Sequence, residues 1–195
     1  MPIHDEICLS IDRFKDQAIG LGRQIHAHPE PKFEERFAAG LLADAIGEIG
    51  VEVERGVAGL ETAFRAQAGK SGPTVAILAE YDALPNGHSC GHNLICTAAL
   101  SAFAGLAAIR RQLPGRIVIL GTPAEEGGGG KIILLEKGAL TGVDVAMMAH
   151  PVDGEFATFP TLATRHLRLT FHGRASHAAA APWAGASALA AVIQT

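Results

Sequence analysis

Three continuous apolar runs, TVAILAEYD (74–82), RIVILGTPAEE (116–126) and VDVAMMAH (143–150), constrain this chain more than any other feature in it. A strand solvated on one face alternates apolar and polar residues. A run without alternation belongs to a strand covered on both faces, as in a mainly parallel sheet flanked by helices. Helix-length segments separate the runs: 91–111, rich in alanine and leucine, and 131–137, closed by Gly138. This βαβαβ order predicts an α/β fold.

Upstream, Ile7, Ile11, Phe14, Ala18, Leu21 and Ile25 recur at helical spacing and predict a helix over 5–27, ended by His28-Pro29. Phe33, Phe37, Leu41, Ala45 and Ile49 predict a second helix over 33–49, stopped at Gly50. Short β-type runs follow at 51–54 and 62–67. After Pro151 the texture changes: HLRLTFHG (166–173) alternates like a half-solvated strand, and an alanine-rich helix starts near 184. The chain is therefore expected to hold one domain over 1–162 and the beginning of a smaller α+β domain over 163–195. One strand and one helix are too little to bury each other's apolar faces.

Composition narrows the function. Of 195 residues, 48% are hydrophobic and 18% charged, below the roughly 25% charged share of globular domains, which excludes disordered and collagen-like chains. With 16 basic and 20 acidic residues, a formal charge of -4, there is no basic surface for nucleic acid or an anionic membrane. A small-molecule partner is expected. Cys8, Cys90 and Cys96 are too few and odd in number for a disulfide framework, which favours a reducing compartment, the cytoplasm. Cys8 and Cys96 fall on helical stripes and read as small buried hydrophobes. The opening MPIHDEICLS has no basic and apolar leader, and the small-apolar stretch 97–109 is shorter than the roughly 18 residues that cross a bilayer. Neither secretion nor membrane embedding is expected.

Ligands in open α/β sheets bind outside the carboxyl ends of the strands, and each apolar run ends in ionisable residues. Glu80 and Asp82 follow the first, Glu125 and Glu126 the second, and His150 the third; NGHSCGHN places His88, Cys90 and His92 just before a helix. Taken singly, each has an ordinary reading as a cap, a turn residue or solvated surface. Together they form one cluster at one sheet edge. A thiolate, imidazoles and carboxylates suit zinc or another late divalent ion better than magnesium or calcium. Glu125 and Glu126 cannot both point the same way from an extended strand end, so one can bind metal while the other serves as a general base. Gly127–Gly130 and Lys131 do not form a phosphate loop, because Glu125 and Ile132 stand where the Walker pattern needs glycine and Ser/Thr. The glycines fit a tight turn that leaves the mouth of the site open. His26, His28 and Glu30 read as a structural cap far from the cluster in sequence, and His4, His166 and His172 have no constellation around them. His177, among small residues in GRASHAAAAPW (173–183), points to a functional role.

The segments RQIHAHPEPKFEE, AEYDALPNGHSCGHNLI, GTPAEEGGGGK, MMAHP and GRASHAAAAPW resemble, in the same order, those of a zinc metallopeptidase family. That family contains aminoacylases, carboxypeptidases, amino-acid-conjugate amidohydrolases and p-aminobenzoyl-glutamate hydrolases. The resemblance is strongest to its aminoacylase-like dipeptidase branch and runs from about residue 20 to the last residue. It implies a phosphorylase/hydrolase-like catalytic domain followed by a lid and dimerisation domain. It also implies two divalent ions, zinc first, with manganese or cobalt as alternatives, held by Cys90, His92, Glu126 and His150. His92 falls at the position that commonly bridges the two ions. Glu125 matches the general base that activates a water molecule, and Asp82 the carboxylate that orients a ligand imidazole. His177 matches a histidine that reaches the neighbouring subunit of a homodimer and stabilises the oxyanion. The implied substrates are N-acyl-amino acids, dipeptides or p-aminobenzoyl-glutamate-like conjugates. Asn93 departs from the family's CGHD, and family members are longer, supplying a last histidine ligand and most of the substrate pocket from a segment this chain does not contain. A truncated, catalytically incompetent fragment that binds metal or pairs with a partner chain is the alternative. A cysteine hydrolase with Cys90 as nucleophile and His92 as base is a third.

Overall fold

The computed structural model describes residues 1–158, 163, 165 and 167–195. The three apolar runs form β3 (Thr74–Ala79), β4 (Arg116–Gly121) and β5 (Val145–Met147), with β3 parallel to both others. The earlier β-type runs form β1 (Val53–Arg55) and β2 (Phe64–Ala68), which extend the sheet in the order β1-β2-β4-β3-β5. Both β1–β2 and β2–β4 are antiparallel, so the sheet as a whole is mixed. The cause is connection length. The links over 56–63 and 69–73 are too short for the crossover that a parallel return needs.

Alternation along β3 and β4 feeds two cores. Ile77, Ala79, Ile117 and Ile119 join the larger one, with α1 (Ile3–Ala27), α2 (Arg36–Glu48) and α3 (His92–Ala108). Ala76, Val118 and Leu120 join the smaller one on the other face, with Val57 and with Leu134 of α4 (Gly130–Glu136). Covered faces explain the unbroken hydrophobicity of these two runs. The third run differs. Val145 and Met147 are 51% and 54% exposed, because β5 is the outermost strand and no described residue covers it. The expectation of burial on both faces is corrected there.

Helix boundaries follow local chemistry. α1 buries Phe14, Ala18, Leu21 and Ile25 and stops at His28, where Pro29 disfavours helical backbone in the residue before it. α2 starts at Arg36 rather than 33 because Phe33 has φ 64°, a left-handed conformation no helix accepts. Glu30 caps it, accepting the N–H groups of Phe37 (2.9 Å) and Ala38 (3.0 Å). α3 packs along α1, with Gly105 beneath Ile11 at a distance a Cβ would reduce to 2.6 Å. Cys96 is buried in α3 as expected, but Cys8 is exposed on α1, its sulfur 3.9 Å from His4 one turn earlier.

The chain divides into two compact units, Met1–Glu155 and Phe156–Thr195; the expected boundary at 163 adjoins residues 159–162, which lie outside the described ones. In the second unit, residues 167–173 carry no strand; residue 166 is also outside the described ones. A strand needs a neighbour to pair with, and among the described residues of this unit the ladder contact is one bridge, Arg174 to Ala186. Residues Pro182–Ala184 form a 3-10 turn, and α5 begins at Ala188, with Ser187 Oγ accepting the Ala190 N–H at 3.0 Å. Among the described residues no helix is long and apolar enough to cross a membrane.

The two ends of this packing range are testable. Leu100, fully buried in α3, should cost about 2–5 kcal/mol on replacement by alanine. Val145→Ala at the exposed edge should stay within about 0.5 kcal/mol. Urea denaturation of the two variants reads both values.

Candidate metal centre

β3 and β4 are neighbours, yet the helices that follow them pack on opposite faces of the sheet, so their connecting segments part above the strand ends. That is the crevice in which open α/β sheets bind ligands. Glu80, Tyr81 and Asp82 enter it from β3, Pro123 to Glu126 from β4, His92 from the first residue of α3 and His150 from beyond β5.

His92 is the centre of the cluster. Its side chain is 1% exposed, and its Nδ1 lies 2.8 Å from the Asp82 carbonyl oxygen and 3.1 Å from Asp82 Oδ1. Both are acceptors, so Nδ1 carries the proton and Nε2 offers its lone pair. That atom faces Glu80 Oε2 at 3.5 Å, Glu125 Oε2 at 3.8 Å and Glu126 Oε1 at 3.8 Å. These separations are too long for hydrogen bonds. His92 Nε2 and Glu80 Oε2 are both buried without a partner. Donor atoms about 2.0–2.2 Å from one tetrahedral ion lie roughly 3.4 Å apart, which matches these spacings. The carboxylates draw positive charge to this point. Burial pushes the His92 imidazole down, but the Asp82 hydrogen bond and the surrounding carboxylates raise it overall.

Two donor sets share His92: Glu80, His92 and His150, and His92, Glu125 and Glu126, with the donor atoms of each set within 4.8 Å of one another. His150 donates from Nδ1 to the Pro151 carbonyl at 2.9 Å, so it too presents Nε2. Its ring stands edge-on to that of His92, with centroids 6.1 Å apart. Because Asp82 occupies Nδ1 of His92, one lone pair remains on that ring. With Nδ1 turned to Asp82, the atom His92 offers an ion is Nε2.

Asp82 does more than hold the ring. Its Oδ2 accepts the Glu126 N–H at 2.8 Å, tying α3 to the turn after β4. Burial pushes this carboxyl up, but the His92 and Glu126 donors outweigh it and hold it below the usual range. Glu125 is raised by burial first and by the neighbouring Glu80 charge second; its side chain is 41% exposed. Glu80, read from the sequence as one member of the strand-end cluster but given no role of its own, is buried and ion-paired through Oε1 to Lys131. Its signal was a spacing of two from Asp82 just past the strand.

Cys90 stands outside both donor sets. It is half-buried against Glu126, whose hydrogen bond and charge, with burial, push the thiol up to about 11. His88 also remains outside the sets and stacks at 6.3 Å on His26. The segment read as a distant cap is therefore a neighbour in space: Glu30 also accepts the Ala83 N–H through its carbonyl at 2.8 Å. His177 belongs to the second unit, where its Nδ1 accepts the N–H groups of Ala179 (3.2 Å) and Ala180 (3.1 Å).

The glycine run wraps the same turn. Gly127 and Gly129 adopt φ 83° and 70°, while a Cβ on Gly130 would lie 1.8 Å from the Pro123 carbonyl oxygen and one on Gly128 2.5 Å from the Ala124 Cβ. Two glycines supply the turn and two the close approach.

A crevice at the carboxyl ends of two parallel strands of a mixed α/β sheet, lined with imidazole and carboxylate groups that could hold a metal ion, is the class of site this fold defines. Residues 76–192 match the model of peptidase family M20/M25/M40, and the chain belongs to that family. It is 41% identical to the Xaa-Arg dipeptidase of Mus musculus over 94% of this chain and 46% of the relative. It is 39% identical to a subunit of the p-aminobenzoyl-glutamate hydrolase of Escherichia coli (strain K12) over 93% of this chain and 44% of the relative. The chain thus spans about half the length of these relatives. The crystal structure of the Bacillus subtilis YXEP protein, described as a dinuclear metal-binding peptidase of the M20 family, superimposes with a TM-score of 0.65 at 28% identity, covering 69% of this chain and 42% of that one.

The environment of Cys90 is directly measurable. In the metal-free chain its alkylation by iodoacetamide should rise about tenfold per pH unit from roughly pH 7 to 9.5 without levelling. Glu126→Gln removes the nearby negative charge and should move that rise to lower pH.

Proposed function

We propose that the whole protein is a divalent-metal amidohydrolase, cleaving the amide bond of N-acyl-amino acids, dipeptides or p-aminobenzoyl-glutamate-like conjugates. The observation that carries this reading is the convergence of Glu80, Glu125, Glu126 and His150 on the buried, partnerless Nε2 of His92. Ions held by His92, Glu126, His150 and Cys90, with Glu80 added from the geometry, would polarise the scissile carbonyl and acidify the attacking water. The mixture of thiol, imidazole and carboxylate donors favours zinc, with manganese or cobalt as alternatives.

The chain's own residues divide the remaining work. Asp82 keeps the His92 proton on Nδ1 and the lone pair on Nε2. Glu125, the more exposed of the adjacent pair, at 41% against 20% for Glu126, accepts a proton from water as the C–O bond forms and returns it to the leaving nitrogen as the C–N bond breaks. His177 supplies an oxyanion donor from the partner chain of a homodimer. Its Nδ1 is an acceptor for local amides, so the neutral ring carries its proton on Nε2, the form this role requires. The names of the relatives support the substrate class, and the three free cysteines support a cytoplasmic setting.

Metal analysis by mass spectrometry, paired with hydrolysis assays on dipeptides and p-aminobenzoyl-glutamate, tests the proposal. Two ions and turnover are expected. One weakly held ion without turnover would favour a binding-only chain, and activity that survives chelation would favour Cys90 as a nucleophile. Glu125→Gln should abolish turnover and leave the metal content intact. Asp82→Asn should weaken metal binding about 10–100-fold, read by chelator competition.

A further inference from the structure

We infer that Glu35 is the positioning residue for the turn that carries Glu125 and Glu126. It precedes α2, far from that turn in sequence, and is 0% exposed. Its Oε1 accepts the N–H of Ala124 at 2.8 Å and that of Phe33 at 2.9 Å, while Oε2 accepts the Thr62 hydroxyl at 2.8 Å. Among the described residues the Lys and Arg ion pairs go to Glu61, Asp44 and Glu80 instead. A buried carboxylate without a cation is costly, and the geometry indicates what offsets that cost. Ala124 and Phe33 both sit at positive φ, 60° and 64°, a conformation that side chains other than glycine hold only when their surroundings impose it. One carboxylate clamps both.

The clamp reaches the other strand end as well. Tyr81, between Glu80 and Asp82, donates its hydroxyl to the Thr62 carbonyl at 2.6 Å. Glu35 therefore lies behind the crevice floor, linked through Ala124 to Glu125 and through Thr62 and Tyr81 to Asp82. It acts through these groups and contributes no donor to either metal-suited set. Its assignment to the reaction rests on the proposed amidohydrolase function, whereas its hold on the turn does not.

Two measurements separate these claims. In the metal-free chain, Glu35→Ala should speed hydrogen exchange at the Ala124 and Glu126 amides at least about tenfold, with the Leu100 and Phe103 amides of α3 unchanged. Glu35→Gln should restore most of the protection, since its amide oxygen can still accept both N–H groups and the Thr62 hydroxyl can reverse to accept its NH2. Equal acceleration in α3, or none at the turn, would overturn the inference. Should Glu35→Ala not fold, Thr62→Val removes one donor alone and should speed the same two amides; no change there would equally overturn it. In turnover assays, kcat of Glu35→Ala should fall about a hundredfold with KM within about threefold, and Glu35→Gln should recover it. An unchanged kcat would remove Glu35 from the reaction. Wild-type protein without turnover would sink the functional reading while the exchange measurement still decides the clamp.

Discussion

Asp82 is the joint on which the site depends. Each of its oxygens accepts from a different element, Oδ1 from the His92 ring and Oδ2 from the Glu126 backbone. Through these two bonds the start of α3 is joined to the turn after β4. Both donors favour the ionised form strongly enough to overcome burial. The stability this adds is fully present above the unfolded value of about 3.8 and is lost as pH falls through the lower folded value. A proton on Asp82 would therefore loosen the His92 ring and the Glu126 backbone together.

The sheet was legible because its signals are local. Unbroken runs over β3 and β4 demand two covered faces, and the ionisable residues at their ends were visible beside them. β5 misled for the opposite reason: Val145 and Met147 carry the composition of a buried strand, but covering depends on neighbours that a run of letters does not specify. The cluster of Glu80, His92, Glu125, Glu126 and His150 was legible as a neighbourhood, since topology alone converges strand ends. Its internal partition was not. Which nitrogen of His92 faces the ion depends on which one Asp82 holds, and that is set by side-chain rotamers rather than by spacing along the chain.

Glu35 and the cap segment show a different limit. Spacing suggested that His26, His28 and Glu30 were remote from the chemistry, because a pattern reading measures distance along the chain. Left-handed Phe33 folds that segment back under the strand ends, so Glu30 reaches Ala83 and Glu35 reaches Ala124. No periodicity encodes such a backbone reversal at a phenylalanine.

The unequal size of the two cores has a mechanical consequence. α4 rests on the smaller cluster, with Leu134 as its one fully buried side chain there, and helices held by so few contacts open locally at low free energy. The turn just before α4 would be expected to fray with it. Its anchors, however, come from the opposite side: Ala124 is bonded to Glu35 at the head of α2, and Glu126 to Asp82, which lies just past β3 and holds His92 at the head of α3, both heads backed by the larger core. The crevice is thus divided into a stiff wall and a compliant one, and the carboxylates of Glu125 and Glu126 are mounted on the stiff wall.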